Sequence, residues 1–182
     1  MEEIKLIAPS MEYGDDVMQF RREMIETEDK DSFAGCNGLR KCQNINEWLD
    51  YLAMMEHDDT CPKGMVTSTT YLAVRTSDNK VVGIIDLRHH INHPVLGLWA
   101  GHMGYTVRRD ERNKGYAKEM VRLNLENCRK RNMDRVMITC SRDNIASEKV
   151  ILANGGVFER EVLAEGEWIK RYWIEVELKC KG

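Results

Sequence analysis

Gly104-Tyr105-Thr106-Val107-Arg108-Arg109-Asp110-Glu111-Arg112-Asn113-Lys114-Gly115-Tyr116-Ala117 is the stretch that decides the fold. Residues 102–107 alternate, with Met103, Tyr105 and Val107 on one face, and predict a strand. Residues 115–131 carry Ala117, Met120, Val121, Leu125 and Cys128 on one helical stripe, with Lys118, Glu119, Arg122 and Glu126 opposite. A basic, glycine-containing turn lies between strand and helix. A helix N-terminus leaves backbone N–H groups unpaired, and its dipole favours an anion. Gly115 has no Cβ to keep the backbone away from a bulky phosphate. Ala117 keeps the first helical turn slim, and Arg112 and Lys114 add positive charge. Physics alone gives a phosphate or pyrophosphate site, with a solvated basic connection as the plainer alternative. Neither G-x-x-x-x-G-K-[ST] nor G-x-G-x-x-G occurs, which disfavours P-loop and dinucleotide enzymes.

Working outward, residues 4–8 predict a first strand, and Ser10 is placed to cap a helix running to about residue 28. Residues 29–44 are polar and predict a loop. A second helix follows over 46–56, with Trp48, Leu49, Leu52 and Met55 at helical spacing, and then a second loop over 58–67. Residues 70–76 and 81–87 predict two strands joined by the turn Ser77-Asp78-Asn79-Lys80. Downstream of the basic turn, 136–140 predicts a short buried strand. Residues 144–154 predict a short helix stopped by Gly155-Gly156. Residues 157–162 and 168–178 predict two closing strands around a turn at Glu165-Gly166. The fold class expected is a mixed α/β sheet, mostly antiparallel, with one parallel strand–helix–strand crossover over 102–140.

The chain has 182 residues, enough for one domain spanning 1–182 with its own core. Only three prolines occur, and no low-complexity linker divides it. The net charge of −3 argues against a broad nucleic-acid surface, so no nucleic-acid partner is expected. No apolar run approaches the ~18 residues of a membrane span, and the N-terminus lacks a secretory pattern. No membrane partner is expected, and a cytoplasmic location is. The six cysteines form no C-x-x-C pair and read as reduced thiols. His89, His90 and His93 cluster, but adjacent residues of a continuing strand point to opposite faces, so no metal site is expected.

The segment Arg112-Asn113-Lys114-Gly115-Tyr116-Ala117 resembles the R/Q-x-x-G-x-G/A motif of the GCN5-related N-acetyltransferases, the GNAT superfamily. Strand and helix flank it where that fold requires them, and Asn144-Ile145-Ala146-Ser147 resembles the family's second cofactor-contacting segment. The resemblance covers about residues 70–178. The runs 87–92, 101–105 and 154–156 look like a bacterial branch of predicted acetyltransferases without a settled substrate. The resemblance implies acetyl-CoA as co-substrate and an unidentified amine acceptor. It implies that strands 102–107 and 136–140 splay apart, with the pantetheine arm against the backbone of Tyr105, Thr106 and Val107. The pyrophosphate would rest on the N–H groups of Arg112, Asn113, Lys114, Gly115, Tyr116 and Ala117, and Asn144 would bond the pantetheine. The family often dimerises through its terminal strands, so a homodimer is among its implications while the oligomeric state stays open.

Acyl transfer needs a neutral amine, yet an alkyl ammonium has a pKa near 10.4. His102, at the start of the strand leading to the turn, is the candidate base; its plainer role is a backbone hydrogen bond. A backbone N–H near Val107 is the family's device for polarising the carbonyl. Many members carry a tyrosine acid seven residues after the position of Asn144. Here that position is Ile151, which cannot donate a proton, and Ser147 is the candidate substitute. The primary expectation is an acetyltransferase acting on an amine of a small molecule or peptide. The alternative, motivated by Ile151, is a non-catalytic acyl-CoA-binding sensor or regulatory domain.

Overall fold

Among residues 1–26 and 33–177, which the computed structural model describes, seven strands and four α-helices form. The strands are β1 (Ile4–Ile7), β2 (Ser68–Arg75), β3 (Val81–Arg88), β4 (Tyr105–Val107), β5 (Arg135–Ser141), β6 (Val157–Ala164) and β7 (Glu167–Glu175). The helices are α1 (Gly14–Ile25), α2 (Ile45–Glu56), α3 (Tyr116–Lys130) and α4 (Ile145–Ala153). The ends of the expected first helix and last strand, the start of the expected loop over 29–44, and Cys180 lie outside the described residues. The other five cysteines are free thiols. No described helix is long and apolar enough to cross a membrane.

The chain builds two antiparallel sheets, ordered β1-β2-β3-β4 and β5-β7-β6. In the first, Leu72 faces Ile84 and Ile85 faces Tyr105; in the second, Ile138 faces Tyr172. The β6–β7 hairpin closes in a two-residue turn, with Glu165 and Gly166 both at positive φ, as a right-twisted ribbon prefers. Helix α3 lays Met120, Val121, Leu125 and Cys128 into a core shared by both sheets, with Ile85, Leu87, Ile138 and Tyr172. On the opposite face of the first sheet, α1 and α2 bury Val17, Phe20, Met24 and Trp48 against Leu72, Val74 and Ile84. Asn44 caps α2 by accepting from the Glu47 N–H at 3.0 Å, while the Glu47 carboxylate accepts from the Gln43 N–H at 2.8 Å.

The expected parallel crossover does not form one ladder. β4 pairs with β3, and β5 pairs with β7. Contact between the sheets at this seam is concentrated at one residue. The His102 N–H donates to the Met137 carbonyl at 2.8 Å, and the Met137 N–H donates to His102 Nδ1 at 2.9 Å. The strand expected from residue 102 also starts later, at Tyr105. The reason is a side chain in the ladder: the Gly104 N–H donates to Asp86 Oδ1 at 2.6 Å. The Asp86 carbonyl instead accepts from the buried Asn124 amide at 3.1 Å.

The segment before α2 is pinned to β4 from the other side. Thr106 Oγ1 donates to the Ala34 carbonyl at 2.8 Å, and the Asn37 amide donates to Thr70 Oγ1 at 2.7 Å. Gly35 lies at φ +75°, and a Cβ there would sit 2.0 Å from the Gly104 carbonyl oxygen, so two backbones touch where no side chain fits. Trp48, fully buried, completes the clasp by donating Nε1–H to the carbonyls of Cys36 and Asn37 at 3.0 Å each. Trp48→Ala is expected to lower unfolding stability by about 3–5 kcal/mol, read from urea midpoints. A loss near zero would show that this helix layer is not cooperative with the sheet.

Candidate functional site

Above the His102–Met137 junction the two sheets diverge, and a cavity of about 1060 Å³ opens between β4 and β5. Its walls are Met103 to Val107, Thr139 to Ser141, the turn after β4, and the first turn of α4 from Asn144 to Ser147. Among the described residues β4 is the last strand of its sheet, and its outer side faces the gap. Arg88, Trp99 and Ala100 line the inner end, and Trp99 belongs to a π-helical turn (Leu96–Ala100) that the sequence patterns do not predict.

The basic turn takes the shape an anion needs. Asn113 and Gly115 adopt positive φ of 61° and 89° ahead of α3, the left-handed backbone from which anion-binding turns are built. Gly115 is the N-cap of that helix and has no side chain to offer its free N–H groups. Arg112 folds back to donate from Nε to the Val107 carbonyl at 3.2 Å. Lys114 does not line the cavity; its ammonium is 2.9 Å from Glu111. Glu111 is buried and accepts from Lys80 and Arg75 as well, each at 2.9 Å. Burial opposes its ionisation, but the hydrogen bonds from Lys114, Lys80 and Arg75 outweigh it and hold the carboxyl at about 2.

At the far wall, Asn144 accepts from the Ser147 N–H at 3.0 Å and so caps α4. Ser147 Oγ lies 2.7 Å from the Tyr105 hydroxyl, which bridges β4 and α4 across the cavity. Burial pushes the Tyr105 phenol well above its usual range, so it is protonated at neutral pH. Ile151 is fully buried in the core, with Gly156 packed closely against it.

The structure thus gathers Tyr105, Thr106, Val107, Arg112, Asn113, Gly115, Tyr116, Ala117, Asn144 and Ser147 around one cavity. It leaves out His102. That ring does not line the cavity, its Nδ1 accepts the Met137 N–H, and its edge packs against Trp173 at 6.4 Å. His102 thus takes the backbone hydrogen bond that was its plainer expected role, and joins the two sheets. Among the described residues no three His, Cys, Asp or Glu side chains gather as metal ligands do. Sequence reasoning missed the side-chain part of Tyr105, whose hydroxyl partner lies 42 positions away, and it missed Arg88, Trp99 and Thr139.

The Acetyltransferase (GNAT) domain family matches residues 14–157. The chain belongs to the GNAT acetyltransferase family. Solved GNAT structures share its architecture over almost the whole length. The microcin C7 self-immunity acetyltransferase, solved with acetyl-CoA and AMP, is 16% identical with a TM-score of 0.63, covering 97% of this chain and 94% of the other. A ribosomal-protein-S5-alanine acetyltransferase from Vibrio fischeri is 18% identical with a TM-score of 0.62, covering 96% and 92%. A chimeric spermidine N-acetyltransferase, in part from Vibrio cholerae, is 14% identical with a TM-score of 0.64, covering 94% and 95%. At such identities the likeness is one of fold, and the three acceptors named differ widely. No curated protein matches the chain in sequence.

The buried joint has a pH signature. Burial holds the His102 imidazole at about 4, below its ordinary 6.5. Between these values the unfolded chain takes up a proton that the folded one refuses, so stability present above pH 6.5 is lost on acidification toward 4. Replacing His102 with Asn is expected to flatten that part of the stability–pH curve, measured by denaturant unfolding from pH 7.5 to 4.5. An unchanged slope would mean that His102 is not buried as a neutral ring.

Proposed function

We propose that the chain is an N-acetyltransferase that moves an acetyl group from acetyl-CoA to a primary amine of a small molecule or peptide by direct transfer in a ternary complex. The observation that carries this reading is the edge position of β4, last in its sheet, with Gly104 to Val107 and the turn at Arg112 lining one cavity. A pantetheine arm would add to that edge as a further strand does, through the backbone of Tyr105, Thr106 and Val107. Its pyrophosphate would rest on the N–H groups of the turn, with Arg112 beside it and Lys118 and Lys149 also lining the cavity. Asn144 and Ser147 close the opposite wall. A backbone N–H of β4 would polarise the thioester carbonyl.

The leaving thiolate needs a proton. Ser147 is its donor in this reading, its proton replaced through the Tyr105 phenol 2.7 Å away, which in turn takes one from water, such as that carrying off the amine's proton. The pair takes the place of the tyrosine that the family often carries at the position of Ile151. The lining carboxylates Glu165 and Glu167 belong to the β6–β7 hairpin, and Glu111 is held by three cations. We therefore assign no side-chain base to the amine, whose proton leaves through water. Exposed apolar residues Val157, Phe158 and Leu163 on β6, the edge of the second sheet, support a homodimer through that strand.

Acetyl-CoA titration of the wild type beside a Gly115→Glu variant tests the cofactor site. Loss of about 10²-fold or more in affinity is expected, from a strained positive-φ side chain and a negative charge facing the phosphates. Equal affinities would remove the turn from the site. Ser147→Ala is expected to cut kcat by about 10²-fold with little change in acetyl-CoA affinity. Tight cofactor binding with no acceptor-dependent thiol release from the wild type would favour the non-catalytic sensor instead. The pH dependence of kcat/KM is expected to follow the pKa of each amine tried; one fixed pKa near 6.5 for all acceptors would reinstate an enzymic histidine base.

A further inference from the structure

The inner end of the cavity is walled by an arginine that the transfer chemistry above does not use. Arg88 ends β3, and its N–H donates to the His102 carbonyl at 2.8 Å, level with the junction of the two sheets. From His102 the chain runs five residues on to Val107, about 16 Å at the usual strand rise of about 3.3 Å. Arg88 therefore sits at the end where the acetyl group would lie, away from the phosphate-binding turn. Its side chain is about four-fifths buried and lines the cavity.

The guanidinium is held by fixed partners. Nη1 donates to the carbonyls of Ala100 and Gly101 at 3.0 Å each, and Nε lies 3.3 Å from Asp86 Oδ2. Asp86 is fully buried, anchored by the Gly104 N–H on Oδ1, and its Oδ2 pairs with Arg88 by charge without a hydrogen bond among the described residues. The carboxylate thus stands behind the arginine, out of the cavity. Nη2 makes no hydrogen bond among the described residues. The acids that do line the cavity lie elsewhere: Glu111 in the turn after β4, and Glu165 and Glu167 on the hairpin beside Ser141.

We infer that Arg88 binds a carboxylate of the acceptor, so that the amine acetylated belongs to an amino acid or a similarly compact amino-carboxylate. This rests on the acetyltransferase reading and narrows its acceptor. Nη2 supplies a charge-assisted donor from a pre-oriented fork, the geometry in which arginine outperforms lysine. A polyamine would instead place a second ammonium against Arg88 with no lining acid at that end to receive it.

Thiol release is measured with matched acceptor pairs, phenylalanine against 2-phenylethylamine and lysine against cadaverine, on the wild type, Arg88→Gln and Arg88→Lys. Acetyl-CoA affinity is titrated for all three proteins. The carboxylate-bearing member is expected to win by at least about tenfold in kcat/KM, the worth of one charge-assisted hydrogen bond. Arg88→Gln is expected to erase that advantage, and Arg88→Lys to keep part of it, at unchanged acetyl-CoA affinity. A wild type that prefers the decarboxylated partners, uses neither member while binding acetyl-CoA, or keeps its preference in Arg88→Gln overturns the inference. The wild-type comparison needs no variant to fold. Failure of the wild type to bind acetyl-CoA would count against the acetyltransferase reading itself.

Discussion

Two hydrogen bonds between His102 and Met137 set the geometry on which the cavity depends. A parallel ladder between β4 and β5 would have closed the gap and left the edge of β4 with a protein neighbour. Beside that one residue, both strands make contacts with other partners. Gly104 is engaged by the Asp86 carboxylate, and Thr139 donates Oγ1 to the Trp99 carbonyl at 2.7 Å. A neutral imidazole suits this joint: its Nδ1 accepts a backbone N–H that would otherwise be buried without a partner, at a desolvation cost of about 1–3 kcal/mol. An aliphatic residue at 102 would fill the space and leave the Met137 N–H unsatisfied.

Patterns with a short period were readable from the sequence. The stripe of α3, the alternation of the strands and the turn at Glu165-Gly166 each depend on neighbours within a few residues, and each element formed within a few positions of its expected bounds. The basic turn was readable for the same reason, since Gly115 and the helix start are local. What was not readable depends on distant partners. The late start of β4 comes from a carboxylate eighteen positions upstream. The role of His102 hinged on a strand 35 positions away, and periodicity alone cannot tell a histidine pointing at substrate from one holding a backbone. Trp99 reached the cavity on a π-helical turn, a structure without a sequence period to detect.

The acid we propose for the site shows the same division. Ile151 was legible as an absence, because one residue type either donates a proton or does not. The proposed replacement was only half legible: Ser147 sits at a local offset on α4, whereas the Tyr105 hydroxyl joins it from β4 across the gap. The two hydroxyls meet because the sheets diverge by just enough for a phenol to span them. That makes Tyr105 both a wall of the cavity and a strut across it.

The charge around the turn follows from the need to hold a shape before an anion arrives. A chain of net charge −3 still presents Arg88, Arg112, Lys118 and Lys149 to one cavity. Three further cations, Arg75, Lys80 and Lys114, are drawn onto buried Glu111, and Arg75 also reaches the Tyr116 hydroxyl at 3.3 Å. An acid beside a phosphate site would be a liability if it faced the ligand alone. Clamped by three cations it is neutralised, and it ties β2, the β2–β3 turn and the start of α3 into one unit. On the proposed reading the turn then needs no ordering by the ligand, which lowers the entropic cost of binding. Preorganisation by a buried carboxylate thus recurs at both ends of the cavity: Glu111 fixes the turn, and Asp86 fixes the start of β4 and the plane of Arg88.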